Sequence, residues 1–223
     1  MKTDLEVQKN VQEQLRWEPI LNAAEIGVSV KNGVVTLTGQ VDSYVKKMAV
    51  EKAAKRVSGV KALAEEIQVG LSAINKRTDA EIAAAVVNAL KWDTTVPDDQ
   101  LQTEVESGFV TLTGQVEWAF QRAAAQRAIE KLTGVKFVFN NITLKIRPVV
   151  ANIKEKIKAA LVRDATIDAD KIIIATNDDK VILSGTVRSL TEKEDAELAA
   201  WSAPGVNRVE NLILVDEEEF AFD

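Results

Sequence analysis

Apolar residues recur every fourth position in three well-separated stretches: Val7, Val11 and Leu15; Ile82, Val86 and Leu90; Ile153, Ile157 and Leu161. That spacing places each trio on one stripe of a helix. Two of the helices open with Thr-x-x-Glu, Thr3 with Glu6 and Thr78 with Glu81, in which hydroxyl and carboxylate satisfy each other's orphan backbone N–H groups. The third lacks this box, and Pro148 is expected to set its start by ending the strand before it. After each helix the period shortens to two. Ile26, Val28 and Val30 alternate with Gly27, Ser29 and Lys31, the signature of a half-buried strand. Asn32-Gly33 then turns the chain into Val35, Leu37, Gly39 and Val41, which share one face. Ser107-Gly108 and Asp178-Asp179 hold the turn position further on. A second helix is predicted over about 43–57, with counterparts starting near Trp118 and Thr191. Ala53, Ala128 and Ala199 match along these helices, and Gly59, Gly134 and Gly205 would close them as C′ residues. Last strands are predicted over 63–69, 138–144 and 209–215.

These elements repeat. Thr36 to Val41 recurs unchanged as Thr111 to Val116, and Leu183-Ser184-Gly185-Thr186-Val187 is a third copy. Leu15, Leu90 and Leu161 stand at one fixed distance before Gly39, Gly114 and Gly185. Gly59, Gly134 and Gly205 stand at another after them. The chain therefore reads as three tandem modules, 1–72, 73–147 and 148–223, the last with an acidic tail. Each has the order αββαβ. A right-handed crossover sets the third strand parallel to the second. The predicted class is α+β, each module a three-stranded mixed sheet with both helices on one face.

The run Asn32-Gly33-Val34-Val35-Thr36-Leu37-Thr38-Gly39-Gln40-Val41, the alanine-rich helix after it and the Gly59-Val60 pair resemble the BON domain family, named for OsmY-like and nodulation proteins. The resemblance covers nearly the whole chain in three copies, and all three keep the central glycine and the Gly-Val pair. It implies the αββαβ fold, no catalysis and no cofactor. It also implies binding of phospholipid, or support of the cell envelope under osmotic stress. Some members are linked to potassium binding, so a cation sensor is an alternative. Typical members are periplasmic.

Composition narrows the chemistry. The 223 residues contain no cysteine and no histidine, which removes thiolate and imidazole catalysis and the metal sites built on those ligands. No acid–base pair recurs in the modules, so no enzyme is expected. The net charge of −6 is the wrong sign for a nucleic-acid binder. A phosphate loop does not fit the glycine motif, because Gly39 falls within a strand and no Gly-Lys-Ser/Thr follows. A close backbone approach to a packed helix is the expected reason for that glycine. No apolar run is long enough to span a bilayer, and no apolar leader opens the sequence, so a cytoplasmic protein is expected as written. A leader-trimmed chain would read the same and belong in the periplasm.

The charge is unevenly spread. Residues 1–75 carry 10 basic and 9 acidic side chains, and residues 148–223 carry 9 and 16. Lys46, Lys47, Lys52, Lys55 and Arg56 make the first module's second helix basic, with Lys61 just after. They are candidates for anionic phospholipid headgroups, for the acidic third-module helix (Glu192, Glu194, Asp195, Glu197), or for nothing beyond a solvated face. Asp164, Asp168, Asp170 and Asp178-Asp179 could attract a cation, although the spacing is not that of an EF-hand. Alternation leaves Phe109, Phe137 and Phe139 on the outward sheet face of module two, and Ile173, Ile182, Leu212 and Leu214 on that of module three. Such apolar faces are expected to be covered, by each other or by a second chain, making self-association or a protein partner the other candidate role. Trp17 and Trp92 match at the end of the first helix, where they are expected to cover the edge of the core. Trp118 and Phe120 open the helix of module two.

Overall fold

A computed structural model describes residues 2–70, 76–145, 152–163, 167–177, 180–203 and 206–215. The chain packs as two units: residues 1–39, 49–67 and 146–223 form one, and residues 40–48 with 68–145 form the other. The predicted order holds in each module. The first runs α1 (Asp4–Arg16), β1 (Ile26–Lys31), β2 (Val34–Val41), α2 (Tyr44–Lys55) and β3 (Ala62–Val69). The second runs α3 (Asp79–Trp92), β4 (Leu101–Glu106), β5 (Phe109–Val116), α4 (Ala119–Glu130) and β6 (Phe137–Leu144). The third runs α5 (Ile153–Arg163), β7 (Ile172–Asn177), β8 (Lys180–Val187), α6 (Leu190–Trp201), β9 (Arg208–Asn211) and β10 (Leu214–Val215). The second strand is central in every sheet. β5 and β6 pair in parallel from Phe109↔Phe137 to Val116↔Leu144. β8 keeps the same offset with β9 and β10, from Lys180↔Arg208 to Val187↔Val215.

The helical stripes are the core-facing ones. Val7, Val11 and Leu15 are buried, as are Ile82, Val86, Leu90 and Ile153, Ile157, Leu161. They meet the inward residues of the central strands, Val35 and Leu37, Val110 and Leu112, Val181 and Leu183, all with almost no exposure. Tyr44, at the start of α2, is buried in the same core as Val110, Leu112 and Ile129. Both capping boxes form, with Thr3 Oγ1 accepting from Glu6 N–H and Thr78 Oγ1 from Glu81 N–H.

Three expectations are corrected. First, the second helices end at Lys55 and Glu130, four residues before Gly59 and Gly134. These glycines, at φ 91° and 97°, therefore turn the loop after the helix rather than serve as its C′ residue. Second, the close approach at the strand glycine is to backbone, not to a helix. Gly39, Gly114 and Gly185 have φ of 139°, 133° and 120°. A Cβ there would sit within 2.3 Å of the carbonyl oxygen of Glu25, 2.3 Å of that of Gln100 and 2.0 Å of that of Lys171, each the last residue of, or next to, a short 3₁₀ turn that leads into the first strand. Third, the last strand of module three is broken at Leu212-Ile213. The N–H of Ile213 donates to Asn211 Oδ1 and its carbonyl accepts from Lys193 Nζ, 2.7 Å away. Gly205, the start set by Pro148 and the Asp178-Asp179 turn lie outside the described residues.

Candidate interaction surfaces

A contact that sequence reading did not anticipate fixes the loop end of the first two modules. Asp4, the first residue of α1, accepts from the backbone N–H groups of Asn32 (2.7 Å) and Gly33 (3.0 Å) in the hairpin turn. Asp79 does the same for Ser107 (2.7 Å) and Gly108 (2.9 Å). Positive φ at all four turn residues aims consecutive N–H groups to one side, where a single carboxylate takes both. The signal was present as Thr-Asp-x-Glu in both copies, but the box drew attention to its threonine and glutamate. Position 150, the third copy's equivalent, is valine. A second such contact joins helix to last strand. Asn140 Nδ2 donates to the Arg122 carbonyl and to Gln126 Oε1 of α4, and Asn211 Nδ2 donates to the Lys193 carbonyl and to Glu197 Oε2 of α6.

The basic helix α2 is largely charge-paired. Lys46 Nζ lies 2.7 Å from Asp42, Lys55 bridges Glu51 (2.6 Å) and Glu194 (2.5 Å), and Arg56 reaches Glu18 at 3.4 Å. Burial alone would lower the pKa of Lys55, but the hydrogen bonds to Glu194 and Glu51 outweigh it and hold the ammonium above the ordinary lysine value. Lys47 lies over the Phe137 ring, 5.5 Å from its centroid. Lys52 and Lys61 are exposed. Of the two specific readings for this helix, contact with the acidic helix of module three is present at Lys55–Glu194.

The tryptophans overturn the expectation that they cover the core edge. Trp17 is 82% exposed and Trp92 86%, because each sits two residues past the last buried position of its helix, Leu15 or Leu90, on the solvent side. Each follows an exposed cation, Arg16 or Lys91. Trp118 is half-buried and stacks on exposed Phe120.

The sheet faces are open. Phe109 and Phe139 are 42% and 46% exposed, and Ile173, Leu212 and Leu214 are 65%, 53% and 66% exposed. Phe137 and Ile182 are half-buried. Tyr44 packs edge-on against Phe137 at 5.6 Å, and Phe139 tilts against Phe137 at 4.8 Å. Among the acidic residues of module three, Asp168 and Asp170 are exposed, and Asp168 lies 3.7 Å from Lys171. Asp164, Asp178 and Asp179 lie outside the described residues. Among the described residues no three acidic side chains gather as a metal site would need, and no helix is long and apolar enough to cross a membrane.

Comparison with known proteins agrees with this geometry. The BON domain family matches residues 3–70, 78–146 and 150–217. Osmotically-inducible protein Y of Escherichia coli (strain K12) is 29% identical over 129 residues, which is 56% of this chain and 64% of that protein. The chain thus matches just under two thirds of that relative's length. Two structures of CdsD, a structural protein of the type III secretion system of Chlamydia trachomatis, one of them its C-terminal domain, align with 97% and 96% of this chain and 100% and 94% of theirs. They do so at 12% identity, with TM-scores of 0.27 and 0.28, too loose a superposition to argue from. With the family match spanning nearly the whole chain in three copies, the protein belongs to the BON domain family and carries three tandem BON domains.

Proposed function

We propose that the protein is a non-enzymatic binding protein of the osmotic-stress response that works at the cell envelope by resting on anionic phospholipid. The observation that carries this reading is the matched pair Trp17 and Trp92, each almost wholly exposed and each preceded by an exposed cation. An indole is favoured at the boundary of water and bilayer, where its ring leaves water while its N–H keeps a polar partner. A neighbouring cation near an anionic surface adds about 1 kcal/mol. On this reading the open cations Lys52 and Lys61 help, whereas Lys46, Lys55 and Arg56 are already held by carboxylates. The likeness to osmotically-inducible protein Y supports the stress context.

Co-sedimentation with vesicles tests it. The full chain is expected to pellet with phosphatidylglycerol-containing vesicles at low salt and to be released at high salt, as screened surface charge requires. It is expected to ignore phosphatidylcholine vesicles. The double variant Trp17→Ala/Trp92→Ala should lose most of that binding with its melting temperature unchanged, since neither ring is packed. Failure of the parent chain to bind, or equal binding by the double variant, overturns the reading.

A further inference from the structure

The outward face of the β4-β5-β6 sheet has an order that the fold does not require. Its centre is aromatic: Phe109 on β5 stacks with Phe139 on β6 at 6.4 Å, and Phe137 completes the cluster. The same three sheet positions hold Val34, Ala62 and Ala64 in module one and Lys180, Arg208 and Glu210 in module three, so the fold accommodates small or charged side chains there. The two rims carry opposite charge. Glu104 and Glu106 stand exposed on β4. On the other side Lys47 lies over Phe137, and Lys136, just before β6, lies over Phe109 at 5.9 Å. Register puts Glu106, Phe109 and Phe137 in one row, and Glu104, Thr111 and Phe139 in the next.

We propose that this face is the docking site for a second copy of the chain, the two sheets packing face to face about a two-fold axis parallel to the strands. Rotation about that axis lays β4 of one copy over β6 of the other, so Glu106 comes over Phe137 and the Lys47 beside it, Glu104 comes over Phe139, and Phe109 meets its own copy on the axis. An axis across the strands would lay β4 over β4 and set glutamates against glutamates, which charge repulsion disfavours. The face measures roughly 26 by 14 Å, from about 3.3 Å per residue along the strand and about 4.8 Å between strands. That is about 700 Å² over both copies, below what a stable interface buries, so the dimer is weak and reversible. This inference stands apart from the phospholipid reading.

Sedimentation velocity on the full chain, from low to several hundred micromolar, reads the dimer directly. The parent should dimerise with rising concentration and dissociate as salt is added. The basic-faced variant Glu104→Lys/Glu106→Lys and the acidic-faced variant Lys47→Glu/Lys136→Glu should each associate at least about tenfold more weakly. Mixed in equal amounts, they should form a heterodimer at least as tight as the parent. Glu104 and Glu106 are exposed, whereas Lys47 and Lys136 are half-buried and Lys136 Nζ donates to the Ser107 carbonyl at 2.8 Å, so each variant is first shown to keep the parent's melting temperature; Phe139→Asp should also abolish the dimer. A parent that stays monomeric throughout, a charge variant that associates like the parent, or a mixture that fails to recover the dimer each overturns the proposal.

Discussion

Replacing Gly114 by alanine tests the account of the repeated strand glycine most directly. At φ 133°, an L residue is strained whatever the space around it, at a cost of about 1–3 kcal/mol. The new methyl would also lie 2.3 Å from the Gln100 carbonyl oxygen and 3.1 Å from both Leu101 Cα and Leu101 Cδ2. Carbon and oxygen need roughly 1 Å more than the first of these, so the 3₁₀ turn must move or β4 must slip. Overpacking of that kind costs a further ~1–3 kcal/mol. The sum is about 4 kcal/mol, a large part of what a module of this size has, at roughly 0.05–0.15 kcal/mol per residue. For a domain of 60–100 residues each kcal/mol moves the midpoint by about 4–8 °C, so the module should melt more than about 15 °C lower. The control is Gly27→Ala. It too lies in a strand, but its nearest obstacle is the hydroxyl of Thr38, at 2.4 Å, which can rotate away. Calorimetry on both variants separates the effects. If Gly114→Ala melts within about 2 °C of the parent, the carbonyl contact does not constrain the position and the reasoning fails.

Two further outcomes follow from contacts described above. Asp79→Ala removes the acceptor for two turn N–H groups and should lower stability by about 2 kcal/mol, with amide exchange at Ser107 and Gly108 accelerating more than elsewhere; unchanged protection there would refute the latch. The Glu81 pKa is held below the usual 4.5 by hydrogen bonds from the Thr78 backbone and hydroxyl. The stabilisation it gives is therefore full above about pH 4.5 and is lost as pH falls through the lower folded value. A carbon-detected titration of its carboxyl that finds a midpoint at or above 4.5 would contradict the box, and Thr78→Ala should raise the midpoint.

The fold was legible because its signals are periodic and occur three times. Val7, Val11 and Leu15 could be assigned to a helix on one copy, and recurrence at Ile82 and Ile153 excluded coincidence. The last-strand break at Ile213 was not legible: Asn140 accepts from Ile142 N–H in the same way within unbroken β6, and no local pattern contains the reach of Lys193 to the Ile213 carbonyl. Exposure at Trp17 was legible and misjudged: two residues past Leu15 is about 200° round the helix from the buried stripe, which is the solvent side. The pairing of Lys46 with Asp42 lies at helical spacing and could have been read. The bridge from Lys55 to Glu194 joins residues 139 apart in sequence, and no local pattern contains it.

The rigid strand glycine also divides what each copy of a duplicated domain is free to change. Where a carbonyl fills the space of a side chain, drift is closed, and all three copies keep Gly39, Gly114 and Gly185. The inward neighbours are nearly as fixed, Val35, Val110 and Val181 being identical. The outward residues one step along the same strand answer to no such demand and have become Val34, Phe109 and Lys180. After duplication, one inherited core could thus present three differently coloured surfaces, and a new binding preference could be acquired in one copy while its siblings kept the old one.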